Sequence, residues 1–149
     1  MKKYSISFVC CAVLFLICVG RPALAEKNYG DIFNAEFVRA VEADVVIFNL
    51  AGLHPLVGEQ IPVRLRGIDV PRKNAACAKE RSAAERGREI VAWLLEKSRT
   101  ITLKKVGRDN RFRITAVVLA DNRDIREVLL QKGLAVRGSA RQKQRDWCQ

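Results

Sequence analysis

Two aspartates are the first residues in this sequence whose types and spacing could do chemistry. Asp44 lies where a strand-like segment begins, and Asp69 ends another such segment, just before Pro71. If both strand ends face the same rim, the two carboxylates could share a hard cation such as Ca²⁺, which prefers carboxylate oxygens. Acids at this spacing also fit ordinary surface turns, so the spacing alone leaves both interpretations open.

Two arginines are the second candidate pair. Arg64 and Arg113 each interrupt an apolar strand pattern, and the guanidinium fork matches a phosphate bidentately. Because Arg66 and Arg111 lie close by in sequence, a solvated outer face explains the pattern equally well. His54 lies in a Gly/Pro loop and is expected to be solvated. The sequence has no Gly-rich phosphate loop, Ser/His/Asp set or zinc-ligand spacing.

The elements that must position these residues are short strands followed by helices. Alternating or β-branched segments predict strands, and helical spacing of apolar residues predicts helices, with a loop over 52–58. The predicted strands are 36–41, 44–48, 61–68, 100–103 and 112–119, and the predicted helices are 78–98, 125–132 and a short 139–146. This order predicts an α+β, mainly β fold, a five-stranded OB-type barrel with about three helices packed outside.

Individual residues refine the helical part of this prediction. Asp124 is expected to cap the N-terminus of the second helix, and Gly133 to follow its C-terminus. Trp93, in the long helix, is expected in the core. Trp147 is expected to pack beside Cys148.

The first 25 residues have the pattern of a secretory signal peptide. Lys2 and Lys3 precede an uncharged apolar run over 6–19, and Ala23 and Ala25 supply the small residues before a cleavage site. The run is shorter than the roughly 20 apolar residues that span a bilayer, so no stable membrane anchor is expected. The sequence therefore predicts cleavage after position 25 and export to the periplasm or the medium.

The rest of the chain is one basic domain. The 149 residues include 27 Lys+Arg and 16 Asp+Glu, and removing the three basic residues of the predicted signal peptide leaves 24 against 16, a formal charge of +8. We divide the chain into a signal peptide (1–25), a leader (26–34) and a domain (35–149). Periodic aliphatic blocks exclude collagen-like, coiled-coil and disordered classes. A basic domain tends to bind anions, which favours nucleic acid or another polyanion as partner.

Cysteine usage agrees with export. Three of the five cysteines lie in the predicted signal peptide, which leaves Cys77 and Cys148. An even pair in an exported chain indicates one disulfide, and closing a loop of about 70 residues contributes roughly 4 kcal/mol in the chain-entropy model. A redox-active or metal-binding pair is the alternative, although neither cysteine lies in a CxxC motif or a Cys/His cluster.

The segment around Arg64 resembles a family signature. Residues 63–71 read Val-Arg-Leu-Arg-Gly-Ile-Asp-Val-Pro and resemble the V-R-L-x-G-I-D-x-P motif of staphylococcal-nuclease-like (thermonuclease) domains. Asp44 falls where that family has its D-G-D-T strand start, and Arg113 matches the arginine of its D-x-Y-G-R region. The 120–123 turn, the 128–135 helix end and the positions of the two cysteines are similar to the exported bacterial branch, so the likeness spans about residues 36–148.

This resemblance implies a Ca²⁺-dependent phosphodiesterase that acts on DNA and RNA. By position, Asp44 and Asp69 would be metal ligands, and Arg64 and Arg113 would clamp the phosphate. The family glutamate that prepares the attacking water falls at Arg72, and an arginine cannot accept a proton at ordinary pH. General base catalysis typically contributes about 10²–10⁴-fold, so its loss predicts weak or lost hydrolysis. The charge of Arg72 should also weaken Ca²⁺ binding.

Further departures keep three functions open. The D-G-D-T start has lost its glycine and hydroxyl, and the aromatic that would stack on a base falls near Arg111. With only two Tyr in the chain, stacking platforms are expected to be scarce.

The first candidate is a feeble exported nuclease. The second is a non-catalytic module that binds nucleic acid or another polyanion, and the third is an envelope protein–protein interaction domain. The arginines of the second candidate are Arg64, Arg66, Arg72, Arg111 and Arg113.

Overall fold

The computed structural model describes residues 27–138 and 145–149. Within them the chain forms eight strands and three helices. The strands are β1 (Ala35–Glu42), β2 (Val45–Leu50), β3 (Ile61–Leu65), β4 (Ile68–Asp69), β5 (Ile101–Arg108), β6 (Ile114–Ala120), β7 (Arg123–Asp124) and β8 (Val136–Arg137), and the helices are α1 (Pro55–Gly58), α2 (Ala78–Lys97) and α3 (Ile125–Gln131). The predicted helix over 139–146 falls mainly on residues 139–144, outside the described residues.

The five long strands form one curled sheet in the order β1-β2-β3-β6-β5, and β7 pairs with β6. All neighbours are antiparallel except β3 and β6, which run parallel. The two outer strands, β1 and β5, contact each other without pairing, so the sheet forms a half-barrel. The leader follows β5, where Ile32 pairs with Leu103. The prediction of a mainly β, OB-type fold with helices outside is confirmed.

The core fills the inside of this half-barrel. Along β3, Val63 and Leu65 are buried while Arg64 between them is partly exposed, which is the alternation expected of a strand with one buried face. Each fully buried large apolar side chain contributes about 1.5–3 kcal/mol relative to exposure. The largest such side chains are Phe48, Leu65, Leu95, Leu103, Ile125 and Leu129.

Two local predictions around β3 differ from the structure. The predicted 52–58 loop contains the short helix α1, whose N-terminal amide at Leu56 donates to Nδ1 of His54 at 3.2 Å. The predicted strand over 61–68 ends at Leu65, because Gly67 adopts a φ of +76° and turns the chain before β4. Only the strand boundary moves, so the buried face of β3 stays as expected.

The prediction that Trp93 lies in the core is wrong, since the residue is 60% exposed. The buried face of α2 is formed by Ala84, Gly87, Val91 and Leu95. Trp93 lies two residues after Val91, which on an α-helix is about half a turn away from that face. The periodicity was sound, and the aromatic simply falls on the opposite side of the helix.

The C-terminal part agrees with the sequence patterns. Asp124 caps α3 by accepting a hydrogen bond from the amide of Arg126 at 2.9 Å, and Gly133 follows the helix at a φ of +66°. Trp147 is buried, and the neighbouring Cys148 forms a disulfide with Cys77 across a Cα–Cα distance of 6.0 Å. No helix of the described residues is long and apolar enough to cross a membrane.

Candidate functional site

Three neighbouring strands bring most of the predicted site residues to one part of the sheet. Asp44 immediately precedes β2, Arg64 lies on β3, and Arg113 immediately precedes β6. In the sheet register, Arg64 is opposite Val45 on one side and Thr115 on the other. The parallel pairing of β3 with β6 therefore places the two arginines on adjacent segments although 49 residues separate them in sequence.

Asp44 and Arg64 form an ion pair. Nε of Arg64 lies 2.8 Å from Oδ2 of Asp44, and the backbone carbonyl of Asp44 accepts from the amide of Leu65 at 2.8 Å. Asp44 is only 4% exposed, whereas the Arg64 side chain is 30% exposed. The predicted metal ligand thus contacts the predicted phosphate-clamp residue directly, and a charge-assisted hydrogen bond of this kind fixes the direction of the guanidinium.

Arg113 is held in the same way, by an acid that sequence reasoning missed. Its Nε and Nη2 lie 2.8 and 2.7 Å from Oδ2 of Asp109. Burial raises the pKa of the Asp109 carboxyl, but hydrogen bonds from the Arg113 side chain and from the amides of Arg113 and Arg111 outweigh it and hold the pKa below its ordinary value. The four-residue spacing of Asp109 and Arg113 was the available signal.

Asp69 lies on β4 and contacts the C-terminal tail. Its Cα is opposite Val136 of β8, and its Oδ2 accepts a hydrogen bond from the amide of Arg145 at 3.2 Å. The Cys77–Cys148 disulfide joins the same tail covalently to the residue that precedes α2. One carboxylate oxygen of the second predicted metal ligand therefore has a partner within the protein.

The remaining arginines differ in how firmly they are held. Nη1 of Arg66 donates to the carbonyl of Lys105 on β5, whereas Arg111 and Arg72 are exposed. The amide of Arg72 donates to Oε1 of Glu80 at 3.0 Å, so its backbone is fixed. Within the described part of the chain, no hydrogen bond or ion pair involves the Arg72 guanidinium.

Phe112 is a second residue that sequence reasoning missed. It lies between Arg111 and Arg113 in the β5–β6 loop. At 80% exposed, it is the most exposed aromatic residue among the described residues. A count of tyrosines does not include this phenylalanine, which lies in a turn. Its position within the motif region, directly before Arg113, was the signal that could have found it.

A comparison with protein families assigns this chain to a known family. The model of the staphylococcal nuclease homologue (SNase) family matches residues 62–147, more than half of the chain. The chain belongs to the SNase family. The matched range contains Arg64, Asp69, Arg72 and Arg113, and Asp44 precedes it. A search of curated proteins found no match.

SNase-family membership supports a nuclease-like or nucleic-acid-related function and an OB-type fold. The family is in general Ca²⁺-dependent, so the fit of the site to this ion can be tested on its residues. Ca²⁺ takes six to eight oxygen ligands, several of them carboxylate oxygens. Here Oδ2 of Asp44 accepts a hydrogen bond from Nε of Arg64, and Oδ2 of Asp69 accepts one from the amide of Arg145.

No third acid completes a Ca²⁺ site in the described residues. The one group of three or more potential ligand residues that they contain is Cys77, Glu80 and Cys148, and its two sulfur atoms form the disulfide. A Ca²⁺ ion here would therefore have to be held by the remaining oxygens of Asp44 and Asp69 together with backbone carbonyls and water. What the arrangement can do is present partly exposed guanidinium groups to an anion.

Proposed function

We propose that this SNase-family chain binds nucleic acid and that its hydrolytic activity is weak or lost. The proposal rests on the presence of an arginine at position 72. By its motif position it stands where the family has the glutamate that prepares water for attack, and its exposed guanidinium cannot take up a proton. The site then retains groups that hold a phosphate and lacks the group that starts its hydrolysis.

The charge of the surrounding surface supports binding to a polyanion. We call the set Arg64, Arg66, Arg72, Arg111 and Arg113 the basic rim. Asp44 and Asp109 each pair with one of these arginines, which leaves the set with an excess of positive charge. Arginine contacts to phosphate oxygens supply most of the sequence-independent affinity of proteins for nucleic acids.

The two ion pairs are compatible with this role. A guanidinium has five N–H donors, and Arg64 donates to Asp44 through Nε. The Arg64 and Arg113 side chains remain 30% and 38% exposed. Each acid therefore orients its arginine while donors remain available for a phosphate, and such preorganisation lowers the entropy cost of binding.

The test is the affinity of the oxidised protein for fluorescently labelled single-stranded DNA, measured by anisotropy at low and at raised salt. We expect affinity that falls steeply with salt, because arginine–phosphate contacts release counterions. Arg64→Ala and Arg113→Ala should weaken binding, whereas Arg88→Ala, which removes an arginine paired with Glu85 on α2, serves as the matched control. Salt-independent binding, or none, would contradict the proposal and favour the protein–protein interaction domain.

A feeble nuclease is the second candidate, because both clamp arginines are retained on adjacent segments. Hydrolysis of single-stranded DNA with and without Ca²⁺ separates the two candidates, with Arg113→Ala run in parallel. Cleavage that needs Ca²⁺ and disappears in the variant would establish an enzyme that works without the usual glutamate. Absence of cleavage by clean protein supports the binding function.

We also infer that the chain is exported, with cleavage after Ala25. The basic start and short apolar run of the first 25 residues support this inference, and so does the disulfide, because disulfides persist mainly in oxidising compartments. The N-terminal sequence of the protein recovered from an expressing bacterium tests it. A mature chain that begins at Glu26 is expected, and retention of Met1 would contradict it.

A further inference from the structure

An apolar groove lies between the helices α2 and α3, and we call it the α2–α3 groove. Its apolar walls are Ile90, Trp93 and Leu94 of α2 and Val128 of α3. It has a volume of about 520 Å³, which is within the range of ligand-binding pockets. No residue of the basic rim lines it, so the groove is a second surface, separate from the candidate anion site.

Trp93 distinguishes this groove from an ordinary gap between two helices. The residue is 60% exposed, whereas Val128 is buried and Ile90 and Leu94 are half-buried. Exposed apolar patches of this kind, with polar residues at their edges, mark interaction sites. Tryptophan is also among the residues most enriched where binding energy is concentrated in an interface.

The charges at the edge of the groove indicate what it binds. Arg123 precedes the N-terminus of α3 and Lys132 follows its C-terminus, and both are exposed and line the groove. Among the described residues, no ion pair or side-chain hydrogen bond involves either of them. The lining contains no acidic residue. An apolar surface with uncompensated positive charge is complementary to a ligand that is apolar in part and negatively charged.

The acids of the two helices do not cancel this charge. Glu89 and Glu96 lie one turn before and one turn after Trp93, on the side of the ring that faces away from the apolar walls. Neither of them lines the groove. Glu127 of α3 is paired with Arg137, at 3.0 Å. The positive charge of the groove is therefore available to a ligand.

The separation of the two cations favours a peptide over a small molecule. The seven residues of α3 lie between Arg123 and Lys132, which corresponds to about 10 Å of helix. One small headgroup cannot contact both ends of that distance. An extended peptide advances about 3.3 Å per residue, so two acids three or four positions apart would reach both cations. An apolar side chain between the acids would then meet the apolar walls.

We propose that the α2–α3 groove is a docking site for an acidic segment of a partner protein, in which two acids flank an apolar side chain. The apolar side chain packs against Trp93, and the acids pair with Arg123 and Lys132. This binding does not depend on the proposed nucleic-acid binding, because the groove and the basic rim share no residue. The chain could then hold a nucleic acid and a protein at the same time.

The test is an NMR titration of the ¹⁵N-labelled oxidised protein with an acetylated peptide that contains Glu-Ser-Phe-Ser-Glu. The chain has two tryptophans and hence two indole N–H signals, and a Trp93→Phe variant identifies the signal of Trp93. We expect this signal to shift saturably while the signal of the buried Trp147 stays in place. A peptide with lysines in place of both glutamates should shift neither signal.

Charge and ring variants test each part of the site. Arg123→Glu and Lys132→Glu each replace an attraction by a repulsion, so each should raise the Kd of the peptide about 3- to 30-fold. Trp93→Ala should raise it at least about 5-fold. Lys104→Glu makes the same change of charge on β5, outside the groove, and is the matched control that should bind like wild type. All four side chains are exposed, so the variants should keep the fold, which thermal unfolding checks.

Octanoate and single-stranded DNA serve as competing ligands in the same titration. If octanoate shifts the Trp93 signal and the peptide does not, the groove binds a small amphiphile and the proposal is overturned. If single-stranded DNA shifts this signal, the groove belongs to the nucleic-acid surface, and the proposal is overturned as well. Absence of any shift with the peptide, or a Kd that both charge reversals leave unchanged, also contradicts it. Failure of DNA binding alone would overturn the proposed function and leave the docking site standing.

Discussion

At the scale of single residues, the arginines of the candidate site differ in what holds their side chains. Arg64 and Arg113 are oriented by Asp44 and Asp109, so their positions depend on carboxylates that also remove part of their charge. For Arg72, the described residues show only a backbone contact, the hydrogen bond from its amide to Glu80. Position 72, where the resemblance places the family glutamate, can therefore be exchanged with little disturbance of its surroundings.

The first prediction concerns that exchange. Arg72→Glu removes a positive charge, adds a third carboxylate and supplies a proton acceptor, so it should raise Ca²⁺-dependent hydrolysis of single-stranded DNA by about 10²–10⁴-fold. The control, Arg72→Gln, removes the charge without supplying a base and should gain far less. If the glutamate variant stays inert with Ca²⁺ present, the retained acids and arginines do not form an assembled catalytic site.

The second prediction concerns pH. The pKa of Asp109 lies below its ordinary value of 3.8, because hydrogen bonds from Arg113 and Arg111 stabilise the charged carboxylate more than burial destabilises it. A carboxyl with a lowered folded pKa stabilises the protein fully above its unfolded pKa and loses that contribution as the pH falls through the folded pKa. Asp109→Asn should therefore be less stable than wild type at neutral pH, with a difference that shrinks on acidification.

Unfolding free energies from denaturant titrations at several pH values check this sign. A difference between wild type and Asp109→Asn that stays constant from neutral to strongly acidic pH would show that the carboxylate charge does not contribute. Near-neutral titrations alone would not suffice, because the carboxylate is ionised throughout that range.

Sequence reasoning could find some of these residues and not others, for physical reasons. Arg64, Asp69 and Arg113 lie in short motifs, so local sequence is enough to single them out as candidates. The partner of Asp69, the amide of Arg145, could not be predicted, since it depends on where the tail docks. Trp93 was misplaced because it was assigned to the core as an aromatic residue, although its position lies half a turn from the buried face. The exposed Phe112 was missed because composition does not report exposure.

At the scale of elements, α2 lies unusually close to the turn that carries Asp44. A Cβ placed on Gly87 would lie 2.9 Å from Cβ of Ala43, the residue immediately before Asp44. The helix can approach the β1–β2 turn this closely only because position 87 has no side chain. The strand pattern and the helix pattern were both predicted from sequence, but the distance between them was not, because it is set by tertiary packing.

The third prediction follows from that approach. Replacing a helix-interior glycine by alanine normally stabilises by about 0.8–1 kcal/mol, but a contact this short should cost about 1–3 kcal/mol through overpacking. Gly87→Ala should therefore lower the thermal midpoint. Because the clash is with one atom, Ala43→Gly in the same chain should relieve it and recover the helix-propensity gain.

Thermal unfolding of the two single variants and the double variant measures this coupling. Additive effects of Gly87→Ala and Ala43→Gly would mean that the two positions do not press on each other, and the interpretation of the close approach would be wrong.

At the scale of the whole molecule, a disulfide joins the start of α2 to the tail that contacts Asp69. Cys77 and Cys148 are 71 residues apart, so the bond closes a loop that includes α2, β5, β6 and α3. The sequence predicted this pairing from the even count of cysteines outside the signal peptide. It could not show that the linked tail also buries Trp147 and meets the site.

The fourth prediction is that Cys77→Ser/Cys148→Ser loses about 4 kcal/mol of stability, the loop-closure entropy expected for a loop of this length. Denaturant unfolding of the double variant and of oxidised wild type, both at neutral pH, measures the difference. Wild type treated with reductant is the matched control and should resemble the double variant. Equal stability of all three would show that the bond constrains the unfolded chain very little.

The parallel pairing of β3 with β6 has a consequence for how the site comes into being. β1, β2 and β3 pair with their neighbours along the chain, and so do β5 and β6, whereas β3 and β6 meet only after α2 and β5 have been placed between them. Contacts between distant segments carry the larger loop-closure cost and form late in folding. Arg64 belongs to one locally formed unit and Arg113 to the other. Either unit alone supplies only one arginine of the Arg64–Arg113 pair, so ligand binding that needs both would report a finished fold.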